Sequence, residues 1–256
     1  MPKKKTDNAH IKSVLKTLEV LEQFIDNNQE KGIHELSAST GIPVSTMQRL
    51  VNTLEAKGYL MQNPRSHKYR LGLTLYHLYK SFSQTFHWVD EARQYMSYLV
   101  QKHGETINMA YLEGKNIVYL TKVDSPHILR PSFSIGTRYP AFCTSLGKCL
   151  LAYQPEESVR LIYTNNQLEQ LTEKTKTSIE EILEELREVR RQGYAVDNEE
   201  FQEGLRCLAV PISNRDKVVV ASMSVTAPTT RMPLDRLYTI KDDMLGTASE
   251  LSSLIV

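Results

Sequence analysis

Hydrophobic residues in the first quarter of the chain recur at three- and four-residue spacing, the pattern of helices that bury one face. This spacing predicts three successive helices, over 13–25, 33–39 and 44–57. Pro43 fits the first position of the third helix, and Gly58 fits the left-handed conformation that ends it. A short second helix that a tight turn joins to a third is typical of a helix-turn-helix.

Alternating residues after the third helix predict a β-hairpin with strands over 59–61 and 68–71. Its tip carries Arg65, His67 and Lys68, which can contact phosphates or the minor groove. Three helices and a hairpin together make a winged helix-turn-helix, which binds double-stranded DNA. The helix pair alone also fits an ordinary helical hairpin, but the basic hairpin at the expected distance favours DNA binding.

The segment that follows is helical and is apolar on too many sides for a bare linker. We expect a connecting helix over 73–83, an interruption at Gln84–Trp88, and a helix that Asp90 caps and that runs to about His103. The Leu and Tyr side chains of the connecting helix are expected to pack against another subunit or another domain. Burial within its own chain is the alternative.

From Glu105 onward the pattern predicts strands of an antiparallel sheet with helices at its sides, an α+β domain. The expected strands are 107–112, 117–120, 128–133, 194–196, 206–212 and 218–224. The expected helices are 143–152, 156–162, a helix that starts at a capping box of Ser178 with Glu181 and stops at Gly193, and 234–255.

The chain therefore divides into a DNA-binding domain over 1–72, a linker helix over 73–88 and a second domain over 89–256. Residues 1–72 hold 11 basic and 7 acidic side chains, a net charge of +4, whereas the remainder has a net charge of −3. A mildly basic first domain suits contact with a polyanion, although a difference of this size is common among proteins.

Composition excludes several classes of protein. Of the 256 residues 41% are hydrophobic and 24% charged, which is typical of a folded globular chain. No apolar run is long enough to span a membrane, and the basic N-terminus lacks the apolar stretch of a secretory signal. Three scattered cysteines, Cys143, Cys149 and Cys207, form no C-x-x-C pair. We therefore expect a cytoplasmic protein without disulfides, metal or cofactor.

The polar face of the third predicted helix is the candidate DNA-reading surface. It carries hydroxyl and amide groups and one guanidinium, and it has no acid before Glu55. Such groups bind phosphates and base edges. The candidate DNA-binding residues are Ser45, Thr46, Gln48, Arg49 and Asn52 on this helix, with Arg65 and Lys68 on the hairpin.

Each half of the chain contains its own set of short sequence motifs. The first half contains Gly41-Ile42-Pro43, Gly58-Tyr59 and Tyr69-Arg70-Leu71-Gly72. The second contains the segments 139–148, 193–197, 204–212 and 222–224. With these motifs the chain, from about residue 11 to about residue 250, resembles the IclR family of bacterial transcription regulators. The resemblance implies a GAF-like fold for the second domain and a small-molecule effector bound there.

The resemblance also implies an effector pocket. The matching positions are Ser145, Leu146, Asp197, Cys207, Ser222 and Ser224, with Leu205 in the pocket wall. The residues themselves add an argument, because backbone N–H groups are free at Thr144-Ser145-Leu146, where a loop enters a helix, and can bind an anion. Asp197 would repel an acid unless it accepts a hydrogen bond from a ligand hydroxyl or carries a shared proton.

We therefore expect a sequence-specific transcription regulator and not an enzyme. A small organic acid is expected to control it, and aromatic acids are among the candidates. A homodimer or a dimer of dimers should bind the operator, because one recognition helix buries too little surface for selective binding. One alternative is a cytoplasmic enzyme with Cys143 or Cys207 as nucleophile, although no histidine motif accompanies either thiol. Another is a DNA-binding structural protein without ligand control.

Overall fold

The computed structural model describes residues 10–25, 29–85, 87–164 and 168–255. The chain divides into two compact units, Met1–Phe86 and His87–Val256. The division falls within the predicted linker segment, 73–88. Each unit has a hydrophobic core of its own.

In its described residues, the first unit has four helices and a two-stranded antiparallel sheet. Its elements are α1 (Lys12–Glu22), α2 (Ile33–Thr40), α3 (Val44–Ala56), β1 (Leu60–Gln62), β2 (Tyr69–Leu71) and α4 (Leu73–Thr85). The first three helices and the hairpin enclose one core, which contains Val20, Phe24, Leu36, Met47, Val51 and Tyr69. This order confirms the predicted winged helix-turn-helix, with α1 ending three residues earlier than the periodicity predicts.

Two glycines bring the end of α3 against the end of the hairpin. Gly58 follows α3 with a positive φ of 74°, the left-handed conformation that the sequence predicts there. A β-carbon on Gly72 would lie only 2.2 Å from the carbonyl oxygen of Gly58. A larger residue at either position would therefore change the angle between α3 and the hairpin.

The second unit is built on a six-stranded antiparallel sheet with the strand order β5-β4-β3-β8-β7-β6. Its strands are β3 (Thr106–Glu113), β4 (Asn116–Val123), β5 (Arg138–Pro140), β6 (Ala195–Asn198), β7 (Leu205–Ser213) and β8 (Val219–Pro228). Its helices are α5 (His87–His103), α6 (Ser145–Leu151), α7 (Glu156–Thr164), α8 (Ile179–Gln192) and α9 (Leu234–Leu254). These elements confirm the predicted α+β class.

Both faces of this sheet are covered. Leu205, Cys207 and Ala209 of β7 share a core with residues of α6, α7 and α8. The intervening residues Leu208 and Val210 are also buried and point to the opposite face, because side chains alternate along a strand. On that face α5 and α9 pack against each other and against the sheet. A side chain can therefore be enclosed on either face.

The predicted strand over 128–133 is wrong. Residues 124–137 form no strand, and the edge strand β5 begins only at Arg138. Pro126 and Pro131 interrupt the segment, and a proline has no N–H to donate to a sheet. Ile128, whose apolar character suggested a strand, is 99% exposed.

Two predicted helix caps differ in detail. Ser178 is the N-cap residue of α8, as predicted, and its carbonyl oxygen accepts from the Ile182 N–H, but its side chain makes no capping hydrogen bond and its hydroxyl instead lies 3.3 Å from Glu180 Oε2. Asp90 lies inside the first turn of α5, which starts at His87, where its charge still complements the helix dipole. The predicted interruption at Gln84–Trp88 is too long, since α4 reaches Thr85; Phe86 lies outside the described residues.

Candidate DNA-binding surface and ligand cavity

The turn between α2 and α3 sets the direction of the recognition helix. Gly41 ends α2 in the left-handed conformation, with a φ of 71°. The Ser37 hydroxyl donates to the carbonyl oxygen of Ile42 at 2.6 Å, and the Ile42 N–H donates to the Thr40 hydroxyl at 3.3 Å. These local hydrogen bonds hold the turn, so the two helices form a fixed pair.

One face of α3 is polar and open, while Met47, Val51 and Leu54 bury the other in the core of the first unit. The polar residues are Ser45, Gln48, Arg49 and Asn52, which are exposed, and Thr46, which is half-buried. The Gln48 Nε2 donates to Asn52 Oδ1 at 2.8 Å, which leaves the Gln48 oxygen and the Asn52 nitrogen for other partners. The face therefore presents donors and acceptors of the kind that read base edges.

A network of hydrogen bonds shapes the loop of the hairpin. Asn63 Oδ1 accepts from the Arg65 N–H at 2.9 Å. The Glu30 carboxylate accepts from Asn63 Nδ2 at 2.6 Å and from the Ser66 hydroxyl at 2.7 Å. These two hydrogen bonds lower the pKa of Glu30, and the bond from Ser66 has the larger effect. The loop is therefore fastened to the segment that precedes α2.

The two basic residues predicted to contact phosphates stand in different surroundings. Lys68 Nζ lies 2.8 Å from Glu35 Oε1, and both side chains are partly exposed. Arg65 is exposed, and its guanidinium makes no hydrogen bond or ion pair with another side chain among the described residues. Arg65 is therefore the freer of the two cations.

A small cavity in the second unit brings together six of the seven residues predicted to contact an effector. They are Ser145, Leu146, Asp197, Leu205, Cys207 and Ser224. The other lining residues are Tyr119, Phe133, Thr144, Phe201 and Thr226. Its volume is about 10 Å³, room for the centre of one water molecule.

The start of α6 forms one wall of the cavity. Thr144 caps the helix, since its hydroxyl accepts from the Gly147 N–H at 3.2 Å and donates to the Pro140 carbonyl at 3.0 Å. A β-carbon on Gly147 would lie 2.1 Å from the Ala141 carbonyl oxygen, so only glycine allows this close approach. The N–H groups of Ser145 and Leu146 have no partner among the described residues.

Asp197 is the acidic group of the cavity and is almost fully buried. Its Oδ1 accepts from the N–H of Glu200 at 2.8 Å and from the N–H of Phe201 at 3.3 Å. Burial raises the pKa of Asp197 to about 7, against the opposing effects of Lys148 and of the two N–H groups. Near neutral pH the carboxyl therefore exists in both protonation states.

A buried ion-pair network lies behind Asp197. Lys148 of α6 is 0% exposed, and its Nζ lies 2.7 Å from Glu185 Oε1 and 2.6 Å from Glu200 Oε1. Burial disfavours the ammonium, but the two carboxylates outweigh it and raise the pKa of Lys148. The network joins α6, α8 and the segment that carries Asp197.

Aromatic rings of Tyr119, Phe133 and Phe201 form another part of the cavity lining. Tyr119 and Phe133 stack with ring centroids 5.1 Å apart, and Tyr139 meets Phe133 edge-on at 5.4 Å. Phe201 meets Tyr139 in the same way at 5.4 Å. The cavity lining therefore combines polar groups with aromatic rings.

Two family models match the chain. The IclR helix-turn-helix domain matches residues 13–64, and the domain described as bacterial transcriptional regulator IclR C-terminal matches residues 82–253. The chain belongs to the IclR family of transcriptional regulators. It therefore combines a DNA-binding domain with an effector-binding domain.

Individual relatives agree with this assignment. The chain is 39% identical over 227 residues to the HTH-type transcriptional regulator KdgR of Escherichia coli, with 89% of this chain and 86% of that protein covered. A putative transcriptional regulator from Rhodococcus, RHA06195, superposes with a TM-score of 0.80 at 27% identity, over 95% of this chain and 97% of the other. An IclR homologue from Microbacterium hydrocarbonoxydans, crystallised with 4-hydroxybenzoate, shares the fold with a TM-score of 0.81 at 22% identity, over 93% and 98% of the two chains.

Ser222 is the one predicted effector residue of this IclR-family protein that does not line the cavity. Its hydroxyl donates to the carbonyl oxygen of Leu146 at 3.0 Å, and the side chain is fully buried. Ser222 therefore holds the first turn of α6 against β8, and the cavity lies beside it. Ser224, two residues along the same strand, does reach the cavity wall.

The three cysteines of this IclR-family protein are all free and buried. Burial raises the pKa of Cys143 and of Cys207, which opposes formation of the thiolate that a nucleophile needs. The described residues contain no group of three His, Cys, Asp or Glu side chains that could hold a metal ion. Among them, too, no helix has both the length and the apolar character to cross a membrane.

Sequence reasoning missed four residues of the cavity: Tyr119, Phe133, Phe201 and Thr226. A signal for Thr226 existed, since it lies two residues beyond Ser224 on the same strand and so shares its face. Phe201 directly follows the Asp197–Glu200 segment that the sequence singles out. Phe133 had no signal, because its segment was predicted to be a strand.

Proposed function

We propose that this IclR-family protein binds a DNA operator through α3 and the hairpin, and that a small organic acid in the cavity changes that binding. The exposed polar face of α3 supports direct reading of bases by Arg49, Gln48 and Asn52, with help from Ser45 and Thr46. The free guanidinium of Arg65 supports a phosphate contact from the hairpin. Lys68 adds to it less strongly, since Glu35 already balances its charge.

The main support for an acidic ligand comes from the N–H groups of Ser145 and Leu146, which have no partner among the described residues. They belong to residues at the start of α6 that line the cavity. Backbone N–H groups at a helix start favour a negatively charged partner. A carboxylate at this point would satisfy both.

Asp197 restricts which acids fit. An ionised Asp197 repels a carboxylate unless the ligand also brings a hydroxyl that donates to it. A protonated Asp197 removes the repulsion and donates instead. Hydroxylated or phenolic acids suit the first state, and plain acids bound at lower pH suit the second.

The cavity has to widen before such a ligand enters. It has room for about one water molecule, whereas pockets for organic ligands are usually about 300 Å³ or more. Phe133 belongs to the 124–137 segment, which forms no strand and whose backbone bonds to Tyr119 of β4 only through Gly136 and Thr137. We expect this residue to move aside when the ligand binds, and the ligand to take its place against Tyr119.

A second copy of the chain is proposed to cover the apolar surface of the first unit. The exposed apolar residues are Ile11, which directly precedes α1, Leu18 of α1, and Leu73, Tyr76 and Tyr79 of α4. Helices rarely leave so many large apolar side chains in water. A homodimer, or a dimer of dimers, would bury them and place two recognition helices on one operator.

Calorimetry of the full chain tests the ligand. The probes are 4-hydroxybenzoate, benzoate, glycerate and pyruvate, each at about pH 6 and about pH 8. Binding of at least one acid supports the proposal, and the pH at which it is tighter distinguishes the two states of Asp197. If none of the acids binds at either pH, the carboxylate pocket is excluded.

The same titrations test whether the protein changes its ligand. A regulator acts in the cytoplasm, where a bacterial operator lies, and should release its ligand unchanged. We expect chromatography of the bound acid, after long incubation, to return only the starting compound. Conversion of the acid would instead support an enzyme.

A further inference from the structure

Asn108 lies directly behind the polar wall of the cavity. It stands on β3 opposite Ser224 of β8 in the strand register, and side chains paired in this way share a face of the sheet. It is 0% exposed, and its Nδ2 donates to Thr226 Oγ1 at 3.2 Å. Thr226 lines the cavity and Asn108 does not.

The other end of the Asn108 amide is unsatisfied. Its Oδ1 is buried and has no hydrogen-bond partner among the residues that the structure describes. A buried polar atom without a partner destabilises a fold, and an apolar side chain of similar size would avoid the penalty. Stability alone therefore does not account for an amide at this position.

The amide determines how the Thr226 hydroxyl can act. A hydroxyl has one hydrogen to donate and two lone pairs to accept with. Because the Asn108 N–H occupies a lone pair, the hydrogen of Thr226 is available for another acceptor. The Ser224 oxygen is 3.5 Å away, at the limit of a hydrogen bond, and the Cys207 thiol is the other side chain within hydrogen-bond reach of Thr226. A thiol sulfur is a weak acceptor, so a ligand oxygen in the cavity would compete successfully for this hydrogen.

We propose that Asn108 is a positioning residue, which holds the Thr226 hydroxyl as a hydrogen-bond donor toward an oxygen atom of the effector. The inference rests on the proposed acid-binding cavity. It adds a third donor, on β8, to the two N–H groups at the start of α6. The favoured ligand therefore carries oxygen acceptors at both ends, such as a hydroxy or keto acid.

A double-mutant cycle on the full chain tests this role. Asn108→Ala and Thr226→Val should each weaken binding of the tightest of the four acid probes by about three- to tenfold in calorimetry. If Asn108 acts only through Thr226, the double variant binds no more weakly than Thr226→Val alone. A structural role would instead add a second loss.

Thr121→Ala is the matched control, since Thr121 on β4 is buried, does not line the cavity, and has a hydroxyl with no partner in the part of the chain that the structure describes. It should leave probe binding unchanged. Asn108→Leu should bind the probe as weakly as Asn108→Ala and yet melt no lower than wild type, which separates positioning from folding. Unchanged binding by Asn108→Ala, or losses that add, would overturn the role of Asn108 alone. A wild-type chain that binds none of the probes would overturn the cavity itself, and this inference with it.

Discussion

The Nζ atom of Lys148 lies 2.6 Å from Oε1 of Glu200, at the centre of the second unit and out of contact with water. The N–H of the same Glu200 donates to Asp197 in the cavity. The ion pair therefore holds the backbone segment that positions the acidic group of the proposed effector site. Since Lys148 belongs to α6, one side chain ties both polar walls of the cavity together.

Lys148→Met should lower the free energy of unfolding of the second unit by about 3–5 kcal/mol, because it leaves the buried Glu200 carboxylate without its ion-pair partner, whereas Glu185 keeps Lys176 at 2.8 Å. Urea unfolding followed by the fluorescence of Trp88, the one tryptophan of the chain, measures this unit. Lys174→Met is the control, since Lys174 pairs with Glu199 at 2.6 Å but is exposed, and it should cost at most about 1 kcal/mol. Equal losses in the two variants would contradict the structural role of the buried pair.

The stability of the second unit should depend on pH through Asp197. Burial raises its pKa from 3.8 to about 7 in the folded chain, so proton binding favours the folded state. This contribution is complete below the unfolded value and is lost as the pH rises through about 7. The Asp197→Asn side chain cannot titrate. The melting temperature of this variant, relative to that of wild type, should therefore rise between about pH 5 and about pH 8. A constant difference across this range would show that Asp197 keeps one charge state.

Arg49→Ala should weaken binding to the operator by about 1–3 kcal/mol if the guanidinium makes a bidentate base contact. The loss should be much smaller on unrelated DNA, because a base contact reads sequence. Fluorescence anisotropy with a labelled fragment from upstream of the chain's own gene, and with a shuffled copy, measures both. Equal losses on the two fragments would assign Arg49 to a phosphate.

Arg65→Gln should weaken binding to every DNA sequence alike and reduce the slope of log affinity against log salt by about one. Lys68→Gln should change the slope less, because Glu35 already lies 2.8 Å from the lysine. Salt titrations of the two variants provide the comparison. If Lys68 has the larger effect, the ion pair opens on DNA and the assignment of the two residues is reversed.

Local sequence signals predicted much of this architecture. Helical spacing and two turn glycines, Gly41 and Gly58, identify the DNA-binding domain, because each signal acts over a few residues. The strand predicted over 128–133 was wrong because apolar residues alone do not form a strand: Ile128 and Leu129 are exposed in a loop, and Phe133 packs on Tyr119 through its ring. Neither the burial of Lys148 nor the bond from Ser222 to Leu146 could be predicted, because each depends on elements far apart in the chain.

The contribution of the α6 N–H groups can be isolated with two variants at Ser145. Proline is well tolerated at the first position of a helix, and Thr144 already has the extended backbone that precedes proline, with φ −103° and ψ 144°. Ser145→Pro therefore removes the N–H with little change in the helix. Ser145→Ala removes only the hydroxyl and serves as its control.

The most direct test of ligand-controlled DNA binding measures operator affinity by anisotropy, with and without the acid that calorimetry shows to bind. We predict that this acid changes the affinity of wild type and of Ser145→Ala by at least about fivefold. It should change that of Ser145→Pro little, although this variant binds DNA normally in the absence of acid. No change in wild type, or an equal change in Ser145→Pro, would contradict an acid effector held at the start of α6.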